Sequence, residues 1–387
     1  MMRVAVVSVA RSDYGIYRPV LTALRDHGAF DVEVWAGSAH LSSLHGHTVD
    51  EIERDGFRIG ARIESLLASD SPEAIAKSMG LGLAGFGQAF AARRPDLLMV
   101  LGDRFDMCVA ALAALPFKIA VAHLHGGELT HGAIDDALRH AITKLSHVHF
   151  TSTAGHRRRV IQLGEDPTHV HHVGAPALDA LRAFVPLSLD ALSAHVGRPW
   201  PKDYVLSTLH PETLDFEHTR EHAQTMLAAL EHVGTDVVFT MPNADTHGAH
   251  IRDEIARFVA RHPRSLVVES LGTERYWSAM SHARALVGNS SSGIIEAPTL
   301  GVPVVNIGDR QHGRERAANV IDVPHDVPRI REAITRVIDP AHRASLTREN
   351  PYDAGGAAAR IVRVLSETRD IASLPSRKRF FDVGELS

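Results

Sequence analysis

The run Gly288-Asn289-Ser290-Ser291-Ser292-Gly293-Ile294-Ile295-Glu296 sets three consecutive hydroxyls between glycines and places a carboxylate six residues after the first serine. It follows a short apolar stretch and leads into a helical pattern. Small hydroxyl residues at such a junction form a nest of backbone and side-chain donors, which is what a diphosphate requires. Glu296, read as lying inside the helix, is placed to accept hydrogen bonds from both hydroxyls of a ribose. A simple helix cap would need only one of these side chains.

A second group of motifs supplies acids, bases and cations. Gly102-Asp103-Arg104-Phe105-Asp106 offers a proton acceptor beside a guanidinium fork. The run His123-Leu124-His125-Gly126-Gly127-Glu128 is followed by Asp135-Asp136 and Arg139-His140 on one predicted helix. Near the start, Arg11-Ser12-Asp13-Tyr14-Gly15 combines a cation with a flexible turn and suits an anion. His210-Pro211-Glu212-Thr213 and Pro242-Asn243-Ala244-Asp245 end later apolar stretches in the same way. His123 and His125 alternate as strand ligands of zinc would, but no further ligand set accompanies them, so no metal site is assigned. After the first predicted strand neither G-x-G-x-x-G nor G-x-x-x-x-G-K-[ST] occurs, which removes the main support for a dinucleotide or P-loop reading.

These motifs need elements to hold them. Short apolar runs at 3–9, 31–35, 97–101, 119–123 and 147–151 alternate with helical patterns at 17–26, 105–115 and 135–145. A second series of strands is predicted at 204–209, 236–241, 265–269, 285–287 and 304–307. This rhythm is that of parallel sheets covered on both faces. The fold class expected is α/β, with two Rossmann-like domains facing a cleft. Residues 1–183 form the first domain and 184–365 the second, with a Pro-containing linker near 184–203. A C-terminal helix within 366–387 is expected to pack back on the first domain. Ligands of such sheets bind beyond the carboxyl ends of the strands, where every motif above falls.

Composition limits the partners. At about 150 residues per domain, 387 residues suit two domains. The chain is 44% apolar and 22% charged, with a formal net charge of −5, so no general nucleic-acid or anionic-membrane binding is expected. The single cysteine, Cys108, allows no disulfide framework and suits a reducing, cytoplasmic setting. No run approaches the roughly 18 apolar residues of a membrane span.

Taken together, Ala10-Arg11-Ser12-Asp13-Tyr14-Gly15, Gly102-Asp103-Arg104-Phe105, the run from Ile134-Asp135-Asp136 through Arg139-His140 to Ser146-His147, and Gly288-Asn289-Ser290-Ser291-Ser292-Gly293 resemble the hydrolysing UDP-N-acetylglucosamine 2-epimerases of sialic-acid and legionaminic-acid synthesis. The resemblance spans roughly residues 3–365 and implies the glycosyltransferase-B type of fold. It also implies a reaction in two stages. UDP is eliminated across C1–C2 of the sugar to give a 2-acetamidoglucal, and water then adds with inversion at C2 to release the manno-configured sugar. No cofactor is implied, and a homodimer through first-domain helices is. By matching motif, Asp103 and Asp135 fall on catalytic carboxylates, Arg139 one turn further along the helix, and His210 on a proposed acid or phosphate partner. Arg11, Arg104, Asn243, Ser290, Ser291, Ser292, Glu296 and Arg310 fall on positions that contact the nucleotide.

One position departs from the family pattern. Where the sialic-acid branch commonly reads Ile-Glu-Gly-Gly-Glu, this chain reads Leu124-His125-Gly126-Gly127-Glu128, so an imidazole stands in place of a carboxylate assigned to catalysis. Either His125 or Glu128 then handles the proton, and a UDP- or GDP-linked 2,4-diacetamido-2,4,6-trideoxyglucose joins UDP-N-acetylglucosamine as a substrate. The competing readings are a glycosyltransferase of the same fold and a non-catalytic sugar-nucleotide sensor.

Overall fold

The computed structural model describes residues 1–43, 46–242 and 247–384 and divides into two units. The first comprises Met1–Glu128, Asp135–Ala180 and Tyr352–Ser387; the second comprises Leu129–Ile134 and Leu181–Pro351. Among the described residues no helix is long and apolar enough to cross a membrane.

The sheet of the first unit contains β1 (Met2–Ser8), β2 (Phe30–Gly37), β3 (Ile59–Ile63), β4 (Leu97–Leu101), β5 (Ala120–Leu124), β6 (Val148–Thr151) and β7 (Val170–His172). Its order is β3-β2-β1-β4-β5-β6-β7, and every pairing is parallel. The central strands are near-continuous apolar runs: all five residues of β4, Leu-Leu-Met-Val-Leu, are buried, as a strand covered by helices on both faces must be. The chain reverses from β1 to β4 across the sheet, so Arg11 and Asp103 follow neighbouring strands.

The second unit repeats the plan with β8 (Tyr204–Thr208), β9 (Asp236–Thr240), β10 (Leu266–Val268), β11 (Leu286–Gly288), β12 (Val304–Ile307) and β13 (Val320–Val323). Its order is β10-β9-β8-β11-β12-β13, again all parallel. The switch point lies between β8 and β11, which puts His210 and Ser290 after adjacent strands.

Two expectations need correction. The second domain does not run to 365: the chain returns to the first unit at Tyr352, and the helix Ala357–Glu367 packs on the helix Arg11–His27. The cause is apolar spacing, since Ala358, Ile361, Val362 and Leu365 form one stripe that joins the first core beside Leu21 and Leu24. Beyond residue 367 no long helix follows among the described residues, only the short turns Ile371–Ser373 and Leu374–Arg377. The linker region carries a helix of its own: Ser188 caps the helix Leu189–Val196 by accepting from the Ala191 amide at 3.2 Å, and Gly197 ends it at φ 69°.

Candidate active site

In the first unit the polar cluster is built on β4, β5, β6 and the helix Asp135–Leu145. That helix buries Ile142 and Thr143 against the unit and, on the same side, Arg139 at 1% exposure. A buried guanidinium requires partners, and Arg139 has them. Its Nη2 pairs with Asp103, its Nη1 donates to the His125 carbonyl at 2.9 Å, and the same nitrogen lies 3.8 Å from Glu128 Oε2. His125 Nδ1 in turn lies 2.6 Å from Glu128 Oε1. The predicted residues Asp103, His125, Glu128 and Arg139 are thus one connected group. Asp135, at the start of the helix, is half-buried one turn before Arg139.

His123 plays a different part from His125. Its Nε2 bonds the Gly102 carbonyl oxygen at 2.7 Å and its Nδ1 the Thr143 hydroxyl at 3.2 Å. Burial pulls its pKa down to about 3, so it is a neutral structural link across β4 and β5. The two imidazoles therefore do not act as a ligand pair.

After β1 and β2 lies a further group, of which sequence reasoning passed over His40. His40 is fully buried, with Nε2 at 2.8 Å from Ser8 Oγ and Nδ1 at 2.7 Å from Thr48 Oγ1. Burial lowers its pKa to about 4. Asp13 accepts from the Val9 and Ala10 amides at 3.3 and 3.1 Å, fixing the turn that carries Arg11. Burial raises the Asp106 carboxyl to about 6 against the opposing charge of Arg104. Arg11 and Arg104 are both half-buried at this end of the sheet.

In the second unit Asn289 organises the site. Its amide side chain accepts from the His210 backbone N–H at 2.7 Å and donates to the His210 carbonyl at 2.9 Å. Its own carbonyl accepts from Gln311 Nε2 at 2.8 Å and from Arg310 Nη1 at 3.4 Å. One residue thereby brings the His210, Ser290 and Arg310 loops together. Gly288, at φ 143°, lets β11 turn into this loop; a Cβ there would collide with the Thr208 carbonyl.

The serines form a bonded set rather than a row of spare hydroxyls. Ser290 Oγ lies 2.9 Å from Ser292 Oγ, and Tyr276 Oη lies 2.6 Å from Ser292 Oγ. Ser290 and Ser291 are half-buried, whereas Ser292 is buried. Glu296 is not inside a helix as expected. It stands between the short helices Ser292–Ile295 and Ala297–Leu300, because Pro298 removes an amide donor from the second turn. Burial pushes the Glu296 carboxyl up to about 7 against a hydrogen bond from Trp277. The predicted Asn243 lies outside the described residues.

Two residues of this unit had no strong signal in the sequence. Glu212 Oε1 accepts from the Asp309 amide at 3.0 Å and lies 2.9 Å from His325 Nε2. Tyr276 reaches the serine loop from the helix Gly272–His282. Only the position of Glu212, two residues after His210, hinted at a role.

Comparison with known proteins gives a consistent picture. The UDP-N-acetylglucosamine 2-epimerase family model matches residues 22–366. The GDP/UDP-N,N'-diacetylbacillosamine 2-epimerase (hydrolyzing) of Campylobacter jejuni is 36% identical over 83% of this chain and 84% of its own. The UDP-N,N'-diacetylbacillosamine 2-epimerase (hydrolyzing) of Legionella pneumophila is 34% identical over 94% of this chain and 95% of its own. The polysialic acid biosynthesis protein P7 of Escherichia coli is 34% identical over 100% of this chain and 99% of its own. Among solved structures, the UDP-GlcNAc 2-epimerase of Neisseria meningitidis bound to UDP-GlcNAc superposes with a TM-score of 0.80, covering 95% of this chain and 100% of that one. At 20% identity that likeness is one of fold, the glycosyltransferase-B type with two Rossmann-like sheets. Family model and near full-length relatives agree: the chain belongs to the UDP-N-acetylglucosamine 2-epimerase family.

Proposed function

We propose that this protein is a hydrolysing 2-epimerase whose substrate is a UDP- or GDP-linked 2,4-diacetamido-2,4,6-trideoxyglucose, with UDP-N-acetylglucosamine as the alternative. The relatives named for diacetylbacillosamine are 34–36% identical to this chain, whereas that named UDP-N-acetylglucosamine 2-epimerase in Neisseria meningitidis is 27% identical. The observation that carries the reaction is the Asp103–Arg139–Glu128–His125 group after β4 and β5. An elimination and a hydration at adjacent sugar carbons need proton-handling groups close to a fixed cation, and this cluster supplies both.

In this reading Asp103, paired with Arg139, is the base that takes the C2 proton, and Asp135 is the second carboxylate of the reaction. Ser290, Ser291 and Ser292, with Arg310, bind the diphosphate in the second unit, and Arg11 and Arg104 are the substrate-binding cations of the first. The four-residue helix after Ser291 has too few aligned peptides for a strong dipole, so hydroxyls and guanidinium groups carry most of that binding. His210 faces a phosphate or the leaving oxygen, Glu296 takes the ribose hydroxyls, and Asn243 contacts the nucleotide. No cofactor enters the scheme.

The same reading includes a cytoplasmic homodimer serving sialic-acid or legionaminic-acid synthesis. Leu81 and Leu83 on the helix Pro72–Ala92, with Leu112 and Leu115 at the end of the packed helix Phe105–Ala114, are between 40% and 48% exposed and support an interface there.

Proton NMR in deuterated water tests the reaction, with the UDP- and GDP-linked diacetamido sugars and UDP-N-acetylglucosamine offered separately. The expected result is nucleoside diphosphate together with a manno-configured free sugar deuterated at C2, formed without any acceptor. Transfer only when an acceptor sugar is present would replace this reading with a glycosyltransferase.

A further inference from the structure

The amino ends of the strands in the first unit carry a cavity of their own. It has a volume of about 130 Å³, and its lining includes His147 and Glu165 beside the sheet and Arg377, Lys378, Arg379 and Phe380 from the chain's tail. A water takes about 30 Å³ of liquid, so the space suits a group of several heavy atoms. Parallel strands share one direction, so this end of the sheet lies opposite the Asp103–Arg139 group. The separation is roughly 16 Å for a five-residue strand such as β5 at about 3.3 Å per residue.

The tail is seated there by defined contacts. The Phe381 amide donates to the Gly164 carbonyl at 2.9 Å, and the Lys144 ammonium lies 4.8 Å from the centroid of the Phe380 ring. Gly164, at φ 84°, lets that ring come close; a Cβ there would strike it.

His147 is the donor of interest. The Val121 amide donates to its Nδ1 at 3.1 Å, so in the neutral ring Nδ1 holds the lone pair and Nε2 holds the hydrogen. Burial, with the nearby charge of Lys378, pulls its pKa down to about 4, which keeps the ring neutral at neutral pH. The residue is 8% exposed, and among the described residues its Nε2–H has no hydrogen-bond partner. Folded proteins seldom bury a donor that neither a ligand nor water completes.

The charge around this donor is positive. Both oxygens of Glu165 are engaged, Oε1 by Lys144 at 2.6 Å and Oε2 by His149 at 3.0 Å and Lys378 at 2.8 Å. Two ammonium groups against one carboxylate leave an excess of positive charge on that wall. Asp166 is exposed, and its Oδ1 accepts from the Thr168 amide and hydroxyl at 2.8 and 2.7 Å. Lys378 spends its protons on Glu165 and on the Lys144 and Ser146 carbonyls, so it lends charge rather than a spare N–H. Arg377 meets only the exposed Asp370, a pair that solvent weakens, and Arg379 forms no ion pair among the described residues.

We propose that this cavity binds a small oxyanion, a phosphate or a carboxylate, with the His147 Nε2–H and the Arg377 and Arg379 guanidinium groups as donors and Lys378 as a fixed charge. The site is separate from the one proposed for the nucleotide sugar and does not depend on the reaction. Guanidinium forks match the oxygens of phosphate and carboxylate alike. A cation is disfavoured, because the buried carboxylate of the cavity, Glu165, is already paired.

The test is titration calorimetry of the full-length chain with inorganic phosphate and, separately, with acetate, at constant ionic strength and with or without saturating UDP. Saturable phosphate binding with a Kd of about 1 mM or tighter is expected, and UDP should leave it unchanged. His147→Asn offers an oxygen near the place of Nδ1 to the Val121 amide and removes the Nε2–H, and should weaken binding about tenfold. Arg377→Ala combined with Arg379→Ala changes two exposed residues and should weaken it by at least about tenfold with the fold intact. Acetate that binds as tightly as phosphate would name a carboxylate as the ligand, and much weaker acetate a phosphate; both results support the site. No saturable binding of either anion overturns the proposal. So does phosphate binding that UDP abolishes, which would put the anion in the nucleotide site, or an unchanged affinity in the double arginine variant. Should His147→Asn not fold, the arginine variant decides. If the chain binds no UDP, the function proposed above is in question, while the phosphate titrations of the variants still decide this site.

Discussion

The backbone amide of Asp309 donates to Glu212 Oε1 at 3.0 Å, which ties the turn before Arg310 to the loop that begins at His210. His325 Nε2 meets the same oxygen at 2.9 Å, and its ring stacks on His222 with centroids 3.6 Å apart. A Cβ on Gly308 would strike the Glu212 carboxylate, so the two loops are in close contact. Removing the buried carboxylate orphans two donors at about 1–3 kcal/mol each. Glu212→Ala is expected to weaken UDP binding about tenfold, which corresponds to about 1.4 kcal/mol. Titration calorimetry checks this, and an unchanged affinity would remove Glu212 from the positioning of Arg310.

Asp103→Asn keeps the size of the side chain and removes its basicity. General-base catalysis contributes about 10²–10⁴-fold, so diphosphate release should fall by at least about 100-fold. Binding of UDP should stay within about twofold, since the second unit supplies most of the diphosphate donors in the proposed mode. Wild-type turnover in this variant would contradict the role given to Asp103.

The double substitution Ser290→Ala with Ser291→Ala probes the other cluster. Each hydroxyl lost to a phosphate oxygen costs about 1 kcal/mol or more, and the pair should weaken UDP binding roughly 10- to 100-fold. The fold should hold, because both serines are half-buried and the Asn289 bonds to His210 do not use them. UDP affinity at the wild-type level would mean that these hydroxyls do not face phosphate.

Lys378 closes the far end of the helix that carries Arg139. Its ammonium donates to the Lys144 carbonyl at 2.7 Å and to the Ser146 carbonyl, and lies 2.8 Å from Glu165 Oε2. Burial alone would raise the Glu165 carboxyl, but the His149 hydrogen bond and the charges of Lys378 and Lys144 outweigh it and hold it at about 2. A depressed carboxyl stabilises the fold above its unfolded value near 4.5, and that contribution fades as pH falls from there toward 2. Thermal denaturation should show Lys378→Met losing about 1–3 kcal/mol at neutral pH and much less near pH 2. A deficit of equal size at both pH values would argue against the linkage.

Readability from sequence followed burial and separation along the chain. Fully buried strands such as Leu-Leu-Met-Val-Leu in β4 announce themselves, whereas β13, Val-Ile-Asp-Val at a sheet edge, has no fully buried residue and no clear pattern. The charged and hydroxyl motifs were visible because they interrupt apolar runs at strand ends. Their connections were not visible. Ser152 looks like any serine after a strand, and only the fold brings it to Glu128. Asn289 was hidden among the serines it precedes, although its side chain holds the His210 loop. Glu165 and Lys378 are partners across 213 positions, a distance no local pattern spans.

The return of the chain at Tyr352 has a consequence for biosynthesis. Arg139 and Tyr352 are also 213 residues apart, a gap of roughly 10–40 s at ribosomal rates of about 5–20 residues per second. Throughout that interval the helix Arg11–His27 lacks the apolar stripe of Ala358, Ile361, Val362 and Leu365 that completes its packing. Leu181–Pro351 meanwhile leaves the ribosome in full and can fold onto its own cores. The half of the protein made first is therefore the half finished last, and its open core is the surface a nascent-chain chaperone would meet.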